Sequence, residues 1–192
     1  EENRRRGIDG PEFELADTGI FDDSRYFDVF AEYAKRSPND ILIRLTVFNR
    51  GLETADLHLL PTVWFRNTWT WGCTHEGCSL KPCIEQTESG LLSLTHETLG
   101  RFLFQMGPGA EGRTPPVLFT VYETNQARLY GVANAGPFVK DAFHNFVIRG
   151  QRNAVNAKNR GTKAAPHYQF RLAAGESRTI RLRLCSEFEV ST

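Results

Sequence analysis

The sequence predicts an all-β fold, a large antiparallel β-sandwich with one short helical turn. Three observations lead there. Apolar residues recur at period two through most of the 192 residues. Clusters of Gly, Pro, Asn, Asp and Ser interrupt that alternation at short intervals. No long stretch carries a convincing 3.6-residue period, whereas about ten short strands at this spacing suit a sandwich or barrel.

The elements follow in chain order. Residues 1–11 read as a linker, and residues 12–185 as one sandwich domain followed by a tail over 186–192. Strands are expected at 12–16 and 26–33. The run Ile41-Leu42-Ile43-Arg44-Leu45-Thr46-Val47-Phe48 is a strand closed by Asn49-Arg50-Gly51, and residues 55–65 resume an extended path. Further strands are expected at 90–95, 101–106, 117–123, 128–132 and 167–172. Ile180, Leu182 and Leu184 alternate with Thr179, Arg181 and Arg183 to mark the last strand. The helical turn falls at 137–145, and the polar stretch 150–166 reads as a long loop.

Bulk properties narrow the function. Basic and acidic residues balance at 23 each, which argues against nucleic acid or an anionic membrane as partner. No apolar run approaches the roughly 20 residues of a membrane span, and Glu1-Glu2-Asn3-Arg4 has no apolar signal core. The first residue is not Met, so an internal segment of a longer protein is expected, in the cytoplasm. Four cysteines are few for this length. Cys73, Cys78 and Cys83 are bunched, with His75 between the first two. Free thiols, a loop disulfide and a zinc site are the alternatives, and the x4/x4 spacing is not a usual zinc pattern. No metal and no cofactor is expected.

Two motifs resolve into turn chemistry. Gly107-Pro108-Gly109-Ala110-Glu111-Gly112-Arg113-Thr114 resembles a phosphate loop, but Pro115-Pro116 and a strand follow where a helix is needed. Asp17, Asp22 and Asp23 lack the spacing of a calcium loop and suit a turn around Gly19.

The most distinctive stretch is Trp64-Phe65-Arg66-Asn67-Thr68-Trp69-Thr70-Trp71, which holds all three tryptophans. In an extended strand Trp64 faces opposite to Trp69 and Trp71, and the latter two lie roughly 7 Å apart on one face. Flat rings beside Arg66 and Asn67 suit a sugar, with its apolar C–H faces and hydroxyl rim. They suit a domain contact equally, since Trp and Arg are enriched there, and a core strand would also use such rings. Lys140, Asp141 and His144 form a second candidate group, a polar rim before the long stretch.

These residues carry a resemblance. Asp17-Thr18-Gly19-Ile20-Phe21-Asp22, Arg25-Tyr26-Phe27-Asp28, Leu59-Leu60-Pro61-Thr62, Trp64-Phe65-Arg66-Asn67-Thr68-Trp69, Lys140-Asp141-Ala142-Phe143-His144 and Gly161-Thr162-Lys163-Ala164-Ala165 resemble bacterial glucosidase-like proteins. That group is related to glycoside hydrolase family 63 and carries a mannosylglycerate-hydrolase-like catalytic domain. The resemblance implies the super-β-sandwich domain that precedes an (α/α)6 toroid. The toroid's carboxylates perform the inverting hydrolysis, so no catalytic residue is carried over to this chain. It also implies that the chain alone is not an enzyme and that its partners are the toroid of the same polypeptide and carbohydrate. Arg66, Asn67, Trp69 and Trp71, with Lys140, Asp141 and His144, would make the interdomain or substrate contact. A free-standing carbohydrate-binding module is the alternative.

Overall fold

A computed structural model describes residues 1–72, 75 and 77–190. Twelve strands and three helices are present among them: β1 (Phe27–Ser37), β2 (Asp40–Asn49), β3 (Ala55–Leu59), β4 (Val63–Trp64), β5 (Cys83–Glu88), β6 (Leu91–His96), β7 (Gly100–Met106), β8 (Val117–Thr120), β9 (Arg160–Gly161), β10 (Lys163–Pro166), β11 (Tyr168–Leu172) and β12 (Ser177–Ser186), with α1 (Glu2–Arg6), α2 (Gln126–Tyr130) and α3 (Ala142–Arg149).

The fold is an all-β antiparallel sandwich. One layer is a seven-stranded sheet in the order β1-β2-β12-β7-β6-β5-β9. The facing layer is made of two smaller sheets, β4-β10-β8 and β11-β3. Alternation fixes which side chains meet between them. The large sheet sends in Leu45, Val47, Leu92, Leu94, Phe104, Ile180 and Leu182, and the second layer answers with Phe119, Ala164, Tyr168, Phe170 and Leu172. The Tyr168 hydroxyl, the polar end of a buried ring, donates to the Gly107 carbonyl at 2.8 Å, so the core takes the ring without an orphaned polar atom.

The two layers are unequal, and β1 shows the consequence. Val29 is the register partner of core residue Val47, and Tyr33 of Ile43. Both therefore sit on the inner face, yet Val29 and Tyr33 are exposed, because none of the described residues packs over them.

Helix α3 covers the outer face of the second layer. Leu118 and Ala165 turn away from the main core and bury a second apolar cluster with Phe143, flanked by Leu60, Phe146, Val147 and Val155. Strand β10 is consequently buried on both faces, which explains its small side chains: Ala164 and Ala165 are both 0% exposed.

Several local expectations are corrected. The loop expected over 150–166 ends in β9 and β10, a central strand whose Lys-Ala-Ala-Pro sequence has no apolar alternation. The strand expected at 128–132 is α2, started by Asn125, whose side chain accepts from the Arg128 amide, and ended by Gly131 at φ 69°. The strand expected at 12–16 runs instead into a 3-10 turn over Leu15–Thr18 with a capping box between Glu14 and Asp17. The helical turn exists but is shifted, to α3. Strand β5 was not expected: its polar outer residues Glu85 and Glu88 hide the alternation that buries Ile84.

Candidate functional site

The extended path that sets the tryptophan parity stops early. Strand β4 ends at Trp64, and a turn follows in which the Trp71 amide donates to the Thr68 carbonyl at 3.1 Å. Asn67 builds that turn: its side-chain oxygen accepts from the Thr70 amide at 3.3 Å and from the Thr70 hydroxyl at 3.0 Å. Within β4 the alternation does operate. Val63 and Phe65 pack on the main core, so Trp64 points outward and is 51% exposed. Of the uses open to these rings, core filling is thereby excluded for Trp64.

Trp64 stacks on Tyr122, with ring centroids 5.8 Å apart. The Trp69 indole N–H donates to Glu123 Oε1 at 2.8 Å, and Lys81 Nζ reaches the same oxygen at 2.7 Å. Trp71 is 57% exposed, and the Arg66 guanidinium lies 4.9 Å from its ring centroid. Burial pushes the Glu123 carboxyl up, but the Lys81 and Trp69 hydrogen bonds outweigh it, so its pKa is lowered.

The second group is bound to the first through Glu123. The Lys140 amide donates to the Glu123 carbonyl at 2.8 Å, and Lys140 Nζ reaches Thr124 Oγ1 at 3.4 Å. Asp141 accepts from Arg128 at 2.8 Å and from Asn125 at 3.2 Å. Burial raises its pKa and these partners lower it, with a lowered value as the net. Lys163, the register partner of Trp64, donates to the Lys140 carbonyl at 2.7 Å. Its ammonium lies 5.8 Å from the Tyr122 ring and 4.9 Å from the Phe143 ring, and burial lowers its pKa. His144 stands one step along α3, in the wall of a groove shared with Lys163.

One buried residue fixes this geometry. Thr162 accepts the Tyr122 amide on its hydroxyl at 2.8 Å, and its carbonyl accepts the Phe65 amide at 3.0 Å. It thereby ties the end of β8 to the end of β4. Tyr122, Glu123 and Lys81 are the site residues that sequence reasoning did not select, while Thr162 and Lys163 entered it only within the run 161–165. The alternation through residues 117–123 brought Tyr122 and Glu123 close to notice, but nothing in the chain signals that Glu123 meets Trp69.

Glu123 and Asp141 are held ionised by cations, whereas a glycosidase general acid needs a raised pKa. The flat rings of Trp64 and Trp71 remain open to contact.

Cys73, with Thr74 and Glu76, lies outside the described residues, so the zinc alternative built on Cys73 does too. Cys78 is disulfide-bonded, and Cys83 and Cys185 are free. Among the described residues no group of three or more His, Cys, Asp or Glu could hold a metal, and no helix is long and apolar enough to cross a membrane.

No family model matches the chain. It is 33% identical, over a 216-residue alignment that covers 97% of it, to the uncharacterized protein YMR196W of Saccharomyces cerevisiae. That alignment takes in 20% of the yeast protein, so the chain spans about a fifth of the length of the relative it matches.

Proposed function

We propose that this chain is the non-catalytic β-sandwich domain of a family-63-like glycosidase, packing on the (α/α)6 catalytic toroid of the same polypeptide through the Trp64–Trp71 and Lys140–His144 face. The observation that carries the reading is the union of two groups 70 residues or so apart in sequence into one internally tied surface. Glu123, Asp141 and Asn67 already have partners within it, while Trp64 and Trp71, with Leu129 and Tyr130 of adjoining α2, stay exposed. Exposed aromatics flanked by paired polar groups suit a contact patch. The match of nearly the whole chain to one fifth of a longer protein supports a domain role.

The exposed rings of Trp64 and Trp71 also favour a second reading, a carbohydrate-binding module. One pair of titrations separates the two. The chain is titrated with the separately produced remainder of its polypeptide and, independently, with gluco-oligosaccharides. Docking predicts binding to the remainder, weakened at least about tenfold in Trp64→Ala and Trp71→Ala, and silence with sugars. Sugar binding lost in the same variants would sink the docking reading.

A further inference from the structure

A groove between the β3–β4 connection and α3 adjoins the proposed docking face and shares Phe143 and His144 with it. It encloses about 300 Å³, and its lining combines Leu60, Phe143, Val147 and Ile148 with His58, Thr62, His144 and Lys163. That lining contains cationic and neutral groups and no carboxylate. Lys163 is half-buried and forms no ion pair within 4 Å among the described residues, whereas half-buried Arg6 and Arg183 each meet an acid; half-buried Lys140 also has no ion pair among them, but it does not line the groove. Among the described residues its ammonium makes one hydrogen bond, to the Lys140 carbonyl, which leaves further N–H donors. Asp141, the acid whose field reaches Lys163, is already taken by Arg128 and Asn125. Charged side chains removed from water are ordinarily paired, so the groove presents an ammonium that lacks its counter-charge.

We propose that this groove binds a small organic carboxylate, with the carboxylate against Lys163 and an apolar body against Phe143, Val147 and Ile148. The proposal goes beyond the docking reading and stands without it. A monoanion is the fitting charge, because one ammonium faces a wall that is mostly hydrocarbon. A phosphate dianion needs a fork of guanidinium donors or a row of backbone N–H groups, and the lining supplies neither. The volume suits a ligand at the small end of the usual range. Partial burial strengthens the pairing, since the effective dielectric falls away from bulk water.

The test uses benzoate and its neutral isostere benzamide as probes. The 192-residue chain is titrated with each while amide resonances of α3 and β10 are followed by NMR. Benzoate is expected to bind at least about tenfold tighter than benzamide. Lys163→Arg keeps that preference and Lys163→Met removes it. Equal binding of the two probes by the unaltered chain, or no binding of either, overturns the proposal without recourse to any variant. A benzoate preference that persists in a folded Lys163→Met chain overturns it too.

Discussion

Replacing Thr162 by Val probes how the site is held. The two side chains are nearly the same size, and Thr162 is fully buried, so the substitution leaves no cavity. It removes only the hydroxyl that accepts the Tyr122 amide at 2.8 Å. The stranded amide then costs about 1–3 kcal/mol, and the added methyl returns up to roughly 0.8 kcal/mol by burial. The difference is a net loss of about 0.2–2.2 kcal/mol, and about 2–4 °C in Tm per kcal/mol for a chain of this size gives a fall of up to roughly 9 °C. The assay is thermal unfolding followed by circular dichroism, with Thr162→Ser as control. Serine keeps the acceptor and loses one methyl, a cost of about 1 kcal/mol. The signature is specific: in Thr162→Val the near-ultraviolet signal of Trp64 on Tyr122 changes, and in Thr162→Ser it does not. A Thr162→Val chain as stable as the parent, with that signal intact, would refute the idea that this hydroxyl ties β8 to β4.

Other consequences are equally open to measurement. Gly161→Ala should destabilise by about 3 kcal/mol or more, because a Cβ there would stand 2.2 Å from the Thr120 carbonyl oxygen; urea unfolding reads the loss, and an unchanged midpoint contradicts the close approach of β9 to β8. His58 Nδ1 and His167 Nε2 lie 2.7 Å apart, so at least one ring must be neutral for one to donate and the other to accept. Burial and then the His58 charge lower the His167 pKa from 6.5. A lowered histidine contributes stability that is complete above 6.5 and lost as pH falls through the folded-state value. Melting temperature should therefore decline as pH falls below about 6.5, and His167→Gln should remove that part of the decline. An identical decline in His167→Gln would show that the pair is not its source.

The sandwich was legible in the sequence because period-two alternation survives wherever one face is buried and the other is wet. Strands β2, β7 and β12 follow this rule. The same rule failed where burial is two-sided or the outer face is crowded with charge. Strand β10 lies between the core and α3, so it needs Ala164 and Ala165 rather than alternation, and it read as loop. Residues 128–132 look like a strand by composition, yet Asn125 and Gly131 cap them as a helical turn, a local signal outweighed in the reading by Leu129, Tyr130 and Val132. The site was legible in part. Aromatic density and polar small-residue clusters pointed to Arg66–Trp71 and to Lys140–His144. What joins them is the carboxylate and carbonyl of Glu123, 54 residues from Trp69, and no local pattern encodes a partnership at that separation. The parity argument for the tryptophans failed for a physical reason as well, since Asn67 turns the chain before Trp69.

We propose that this chain serves a catalytic toroid and does no chemistry itself. Hydrolysis of a chromogenic α-glucoside, measured side by side for the 192-residue chain and for the complete polypeptide that carries it, tests that most directly. The account predicts turnover by the complete polypeptide and none by the chain. Turnover by the chain alone, abolished by changing one of its own carboxylates such as Glu123→Gln, would contradict it.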